Sequence, residues 1–229
     1  MALFAIGDLH LSLASDKPMD VFGGGWENYV SKIRTGFSSL NHDDVCVLCG
    51  DISWAMDLDE CVLDFQFIDE LPGKKIILKG NHDYWWTTVS KMKSFLNANG
   101  FSSIDFMHNN CFFHNDAAIC GTRGWLSEGE ADSSHNSKVM AREISRLRAS
   151  LSAAGEAADK LCFFHYPPRY LSFVCDELIG VMHDFGVKKC WYGHIHSHGR
   201  RYAVQGTIEG ITYKLVSADS VDFAPQRIL

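Results

Sequence analysis

Five apolar runs in this chain end in residues able to hold a metal ion or move a proton: GDLH (7–10), GD (50–51), GNHD (80–83), FHYPP (164–168) and GHIH (193–196). They supply Asp8, His10, Asp51, Asn81, His82, His165, His194 and His196. Alone, each piece has a plainer reading. Gly-Asp and Asn-His-Asp are ordinary turns, and a lone His-x-His is more often surface or packing than ligand. Placed together, each directly after an apolar run, they have a common explanation, because ligands gather at the carboxyl ends of strands in open α/β sheets. Asp8 and His10 are two residues apart, as are His194 and His196. In extended backbone such side chains leave on the same face, so each pair can converge on one site. Carboxylate, amide and imidazole donors suit manganese, iron, zinc or nickel, and the lack of thiolate argues against a structural zinc cage. The candidates are too many for one four-coordinate ion. Two divalent ions about 3.5–4 Å apart, sharing a carboxylate, accommodate them better.

Such ligands need strands to carry them. LFAI (3–6), VCVL (45–48), KIIL (75–78), AAIC (117–120), LCFF (161–164) and CWY (190–192) read as largely buried strands. Between them, residues 27–40, 57–71, 87–98, 136–153 and 173–185 carry apolar residues at helical spacing, an α/β pattern. The stretch YAVQGTIEGITYKLVSA (202–218) reads as antiparallel strands joined around Gly206 or Gly210. No internal repeat, low-complexity segment or linker divides the 229 residues, so a single domain over 1–229 is expected. Two polar segments are long. One, 12–28, contains a Gly-Gly-Gly without the lysine and spacing of a phosphate-binding loop. The other, 126–138, has a length found in functional lids and in plain surface excursions alike.

The apolar fraction of 46% and charged fraction of 21% are those of a folded globular protein. A net charge of −7 argues against a broad basic footprint for nucleic acid. No apolar run approaches the roughly 20 residues of a membrane helix, and MALFAIGD lacks the basic segment of a secretory signal. Cys46, Cys49, Cys111, Cys120, Cys162 and Cys190 sit in apolar runs where a small hydrophobe would serve. In DVCVLCG an odd offset along a strand points Cys46 and Cys49 to opposite faces, against redox or zinc chemistry. Buried thiols in a reducing cytoplasm are expected.

The order D-x-H, G-D, G-N-H-D, a further histidine and G-H-x-H, between residues 7 and 196, resembles that of the calcineurin-like metallophosphoesterase superfamily. The resemblance implies a four-layer αββα fold, a central β-sandwich of two mixed sheets flanked by helices, with a binuclear metal centre at the strand ends. One metal would be held by Asp8, His10, Asp51 and His196, and the second by Asp51, Asn81, His165 and His194, with Asp51 as the bridge. His82 would be the catalytic histidine rather than a ligand, and Asp83 its orienting partner. The implied activity is hydrolysis of a phosphoric ester by in-line attack of a bridging hydroxide, with His82 as general acid. Protein phosphatases of this superfamily continue G-D with x-x-D-R-G and follow G-N-H-E with arginine; this chain has GDISWAMD and GNHDYWW. The phosphate-clamping arginines of those positions are missing. The expectation therefore turns from phosphoproteins to a small-molecule phosphate ester, as for compact bacterial-type predicted phosphohydrolases.

Electrostatics gives these roles a reason. Two dications, set against Asp8, Asp51 and a hydroxide, leave the centre with about one positive charge, which attracts phosphate even on an acidic chain. A carboxylate bonded to His82 would stabilise its imidazolium beside the ions, the role expected of Asp83; a helix N-cap ahead of 87–98 is the alternative. Trp26, Trp54, Trp85, Trp86 and Trp125 lie in or beside the motif loops. Some of them, Trp54 first, would wall the pocket and stack on an aromatic leaving group, with core packing as the alternative. Arg123, in GTRGW, is the candidate phosphate-contacting cation, and His198 a candidate substrate contact. His108, His114 and His135 have no partner pattern. Two rivals stand beside this reading. A phosphodiesterase or nuclease on the same centre would want a basic groove, and a non-catalytic metal-bound scaffold would not need the full ligand set with His82.

Overall fold

The computed structural model describes residues 1–15, 17, 19–23, 25–126 and 133–229, the side chains of 133–135 excepted. Residues 127–132 of the 126–138 segment, His135's side chain, and Asp16, Pro18 and Gly24 of the 12–28 segment lie outside the described residues. The first half of the chain alternates β1 (Leu3–Ile6), α1 (Tyr29–Phe37), β2 (Val45–Leu48), α2 (Val62–Glu70), β3 (Lys74–Ile77), α3 (Val89–Asn99) and β4 (Ile104–Phe106). The second half runs β5 (Phe112–His114), β6 (Ala117–Thr122), α4 (Ser133–Ala153), β7 (Asp159–Phe164), β8 (Arg169–Tyr170), β9 (Phe173–Val174) and α5 (Asp176–Asp184). It closes with β10 (Lys189–Tyr192), β11 (Gly206–Ile208), β12 (Ile211–Leu215) and β13 (Gln226–Arg227).

Two mixed sheets result, a five-stranded one in the order β13-β1-β2-β3-β4 and a six-stranded one in the order β11-β12-β10-β7-β6-β5. The inner strands of both are parallel, and antiparallel β13, β11 and β5 lie at edges. β1 shows why the apolar runs are continuous. Leu3 and Ala5 pack between the sheets with Val47, Ile119, Phe163 and Trp191. Phe4 and Ile6 point the other way, into a core shared with Ile33 and Phe37 of α1, Phe65 of α2 and Met92 of α3. The outer face of the second sheet is covered in the same way by Leu147 and Leu151 of α4 and Leu178 and Met182 of α5. A strand buried on both faces has no polar side to alternate with. The layers are helix, sheet, sheet, helix, the expected αββα arrangement. Cys46 lies in the outer core and Cys49 in the inter-sheet core, on opposite faces as the odd offset requires. Among the described residues no helix is long and apolar enough to cross a membrane.

Parallel strands bring their carboxyl ends to one edge of each sheet. The two edges meet: Gly7 N–H, after β1, donates to the Val216 carbonyl at 2.8 Å, after β12. All five motif stretches lie at this junction.

Candidate metal centre

The motif residues reach the junction through left-handed turns. Asp8 (φ 60), His10 (φ 47), Asp51 (φ 52) and His194 (φ 70) adopt a conformation that L residues avoid, at a cost of roughly 1–2 kcal/mol each. This corrects the expectation of extended Asp8–His10 and His194–His196 pairs. The turns, not strand alternation, aim these side chains, and cross-links such as Asp8 N–H to Gly50 O (2.8 Å) and His10 N–H to Asp51 O (2.9 Å) hold them. Glycine is required where the loops touch. A Cβ on Gly80 would stand 2.1 Å from Asp51 Oδ1, and one on Gly50 would stand 2.7 Å from both the Gly80 backbone and His165 Nδ1.

Two donor sets form side by side: Asp8, His10 and His196, and Asp51, His165 and His194, the ligand atoms of each set within 4.8 Å of one another. In the first, His196 Nε2 lies 3.3 Å from His10 Nε2 and 3.4 Å from Asp8 Oδ1. In the second, Asn81 Oδ1 lies 2.6 Å from His165 Nε2 and 3.1 Å from His194 Nδ1. Asp51 stands between them. Its Oδ1 accepts the His82 backbone N–H at 2.8 Å, leaving Oδ2 at 3.7 Å from His10 Nε2 and 3.6 Å from His165 Nε2.

The spacing suits metal ions. Donor atoms about 2.1 Å from one ion stand roughly 3.0–3.4 Å apart in tetrahedral or octahedral geometry. The tautomers agree. His165 Nδ1 lies 3.0 Å from the Cys49 carbonyl and donates to it, so Nε2 presents a lone pair to Asn81 Oδ1. A metal ion between them would satisfy both lone pairs. His196 Nδ1 lies 3.2 Å from Asp219 Oδ1, whose other oxygen accepts the Ser197 N–H at 2.9 Å. A buried carboxylate thereby orients the ring and aims Nε2 at Asp8.

Charge tells the same story. Burial pushes the Asp51 carboxyl well above the carboxylate range, with Asp83 and Asp8 adding repulsion. Burial also pulls the His165 imidazole down to about 3 and His10 well below its ordinary value, His196 adding to the effect on His10. Burial opposes ionisation of Asp8 and of His196, yet each stabilises the other's charge. Asp8 stays below the carboxylate range, and His196, also supported by Asp219, rises to about 10. A divalent cation would reverse the shifts of Asp51 and His196 and reinforce those of Asp8, His10 and His165, favouring carboxylate and neutral imidazole throughout.

The structure places Asp83 differently from the sequence reading. Its buried carboxylate accepts N–H bonds from Gly80 (2.6 Å), Asp51 (3.0 Å), Ile52 (2.8 Å), Ser53 (3.4 Å) and the Trp85 indole (3.1 Å). Both oxygens are engaged by the loop carrying Asp51, not by the His82 ring. The His82 ring instead lies against Trp54, centroids 4.4 Å apart, with the Tyr84 hydroxyl 3.4 Å from Nδ1. Trp54 also stacks on His10 at 5.1 Å. The helix at 87–98 is capped by Thr88, whose side chain accepts the Lys91 N–H, so the N-cap alternative for Asp83 falls as well.

The other tryptophans divide. Trp26 is buried edge-on to His10 and His196, Trp85 packs in the core against Phe65, and Trp86 lines a separate cavity with Arg123. Arg123 lies over the Trp125 ring and 3.9 Å from Glu143, among the cavity residues rather than in either donor set. His198 is exposed in the turn Ser197–Tyr202. Sequence reasoning missed Asp219. The signal was there: Asp219 follows the apolar run of β12, as the other motif carboxylates follow theirs.

An αββα sandwich with two adjoining histidine–carboxylate sets at its strand ends defines a metal-binding hydrolase of the phosphoesterase class. The chain belongs to the calcineurin-like phosphoesterase family, whose model matches residues 1–198. It is a metal-dependent phosphoesterase, acting on phosphate esters. Comparison with curated proteins gives no match. Among solved structures, the fold resembles a phosphopantetheinyl hydrolase from Mycobacterium tuberculosis, at 14% identity and TM-score 0.57, covering 100% of this chain and 95% of that one. It also resembles a protein of unknown function from Aquifex aeolicus, at 16% identity and TM-score 0.53, covering 99% and 95%. At such identities the likeness is one of fold.

Proposed function

We propose that the chain, acting as one domain over residues 1–229, hydrolyses a small-molecule phosphate ester at a two-metal centre. The observation that carries this is the position of Asp51, whose Oδ2 faces both donor sets while Oδ1 is tied to the His82 backbone. Asp8, His10 and His196 would hold one ion and Asn81, His165 and His194 the other, with Asp51 placed to serve both. Manganese, iron, zinc or nickel would suit these donors. Bound there, two divalent ions supply a hydroxide nucleophile at neutral pH and neutralise charge on the phosphoryl oxygens.

The protein's part is positioning. Asp83 fixes the loop that presents Asp51, and Asp219 fixes the ring of His196. His82 holds a proton for the departing oxygen, with its ring set by Trp54 and Tyr84. The experiment separates these roles. Asp51→Asn should lose both ions and all turnover. His82→Ala should keep its metal but lose rate, most for alkyl phosphates and least for nitrophenyl phosphate, whose leaving group needs little protonation. Equal loss across leaving groups would remove the acid role.

A further inference from the structure

A cavity of about 490 Å³ lies beside the centre, lined by Lys79, Arg123, Arg142 and Arg146, with His108 on one wall. Its size falls in the ligand-pocket range of about 300–1,000 Å³. Glu143 is the single carboxylate among the described lining residues, and no candidate metal ligand lines it. Four cations facing one carboxylate is an unusual concentration on a chain of net charge −7. We propose that this cavity binds a second phosphate, or an equivalent dianionic group, of a substrate whose first phosphate is hydrolysed at the metal centre. The proposal rests on the phosphoesterase reading and narrows it to organic molecules carrying two separated anionic groups.

Glu143 organises the cavity without neutralising it. Fully buried, it accepts from the Thr122 hydroxyl (2.5 Å), the Gly124 N–H (3.2 Å) and Arg146 (2.5 Å), with Arg123 3.9 Å away. One carboxylate therefore anchors two guanidinium groups and offsets only one of their charges, so with Lys79 and Arg142 about three positive charges remain. Arg123 Nε is buried with no hydrogen-bond partner among the described residues, a donor that an anion would satisfy. Arg142 and Arg146 are four apart on α4 and so share a helix face. Burial, then Arg146, holds the His108 imidazole below its ordinary value, as expected of a site with excess positive charge. Planar guanidinium forks are suited to phosphate.

The cavity and the centre share their walls. Lys79 is two residues before Asn81, at most about 7 Å along the chain. The Arg123 carbonyl accepts the N–H groups of His165 (3.2 Å) and Tyr166 (2.8 Å). A ligand bound through one phosphate at the metals is thus within reach of the second site.

The test uses the full chain loaded with manganese and a series of alkanediol bisphosphates of graded length, each paired with its monophosphate. The best bisphosphate should exceed its monophosphate in kcat/KM by about tenfold or more, the size of one charge-assisted contact. Arg142→Glu and Arg146→Glu should each abolish that preference while leaving the monophosphate within about twofold. Among the described residues Arg142 has no hydrogen-bond or ion-pair partner to lose, which guards against a folding defect in the Arg146 variant. Equal kcat/KM across the series, or a preference untouched by both reversals, would overturn the proposal. If no ester is turned over, the phosphoesterase reading fails instead, and calorimetry still reads the cavity. Inorganic pyrophosphate should bind Asp51→Asn protein and bind at least about fivefold more weakly once Arg142→Glu is added; no binding to Asp51→Asn would overturn the second-phosphate site.

Discussion

Asp219 and Asp83 are carboxylates that touch no substrate in the proposed mechanism yet decide whether the centre exists. Asp219→Asn keeps the size of the side chain but weakens its hold on His196 Nδ1. Loss of such an outer partner typically costs about 10–100-fold in metal affinity. A chelator-competition titration should show one of two binding steps weakened by that amount, with the step owed to Asn81, His165 and His194 little changed. Asp83→Asn has a different consequence. One of its oxygens becomes an NH2 facing two or three N–H donors, and the charge that strengthens all those bonds is lost. Urea unfolding should report a loss of roughly 3 kcal/mol. Turnover should fall through misplacement of Asp51, with no selective penalty for poor leaving groups, which distinguishes Asp83 from His82. Asp83 was legible in the chain but its partners were not, and Asp219 was missed altogether. Asp83 stands next to His82 in sequence, and adjacency suggested a bond, but successive side chains leave a turn in different directions. Asp219 is 23 residues from His196, beyond any local pattern.

The strands were readable for a physical reason: helices cover both outer faces and the sheets cover each other, so β1 and β2 are apolar throughout and β3, β6, β7 and β10 each carry an unbroken apolar stretch. β4, β5 and β13 escaped because they are short or lie at an edge, with residues such as the half-exposed Asp105 and the exposed Gln226 and Arg227. What composition cannot express is how closely the strand-end loops approach. Gly50 and Gly80 read as turn glycines, yet their role is steric. Gly80→Ala would drive a methyl group into the Asp51 backbone N (2.2 Å) and Oδ1 (2.1 Å). The loop must move by more than 1 Å to reach ordinary contact at about 3.5 Å, which breaks the shared position of Asp51. We expect Gly80→Ala to keep a native circular dichroism spectrum, since the sandwich core lies away from the loop, but to bind fewer than two ions by elemental analysis. A variant with full metal content would mean that Asp51 tolerates displacement and is not the shared ligand.

The centre takes Asp8, His10, Asp51 and Asn81 from the five-stranded sheet and His165, His194 and His196 from the six-stranded one. Ions bound there would act as staples across the sandwich at one end only. Elsewhere the sheets are joined by an apolar layer that needs no metal, with Phe163 and Trp191 stacked at 5.1 Å within it. Metal removal should therefore weaken the fold without abolishing it. Two ions, each at about thirty times its Kd, together stabilise the native state by about 4 kcal/mol, and each kcal/mol moves Tm by about 2–4 °C in a chain of this size. Chelation should lower Tm by roughly 10 °C while unfolding stays cooperative. Asp51→Asn supplies the control, because a protein that has already lost the shared ligand has no staple to remove, and its Tm should ignore the chelator. A wild-type Tm unmoved after complete metal removal would mean that the two sheets already hold these ligands in place unaided. The repulsion now evident between buried Asp51, Asp83 and Asp8 would then have to be relieved by protons rather than by ions.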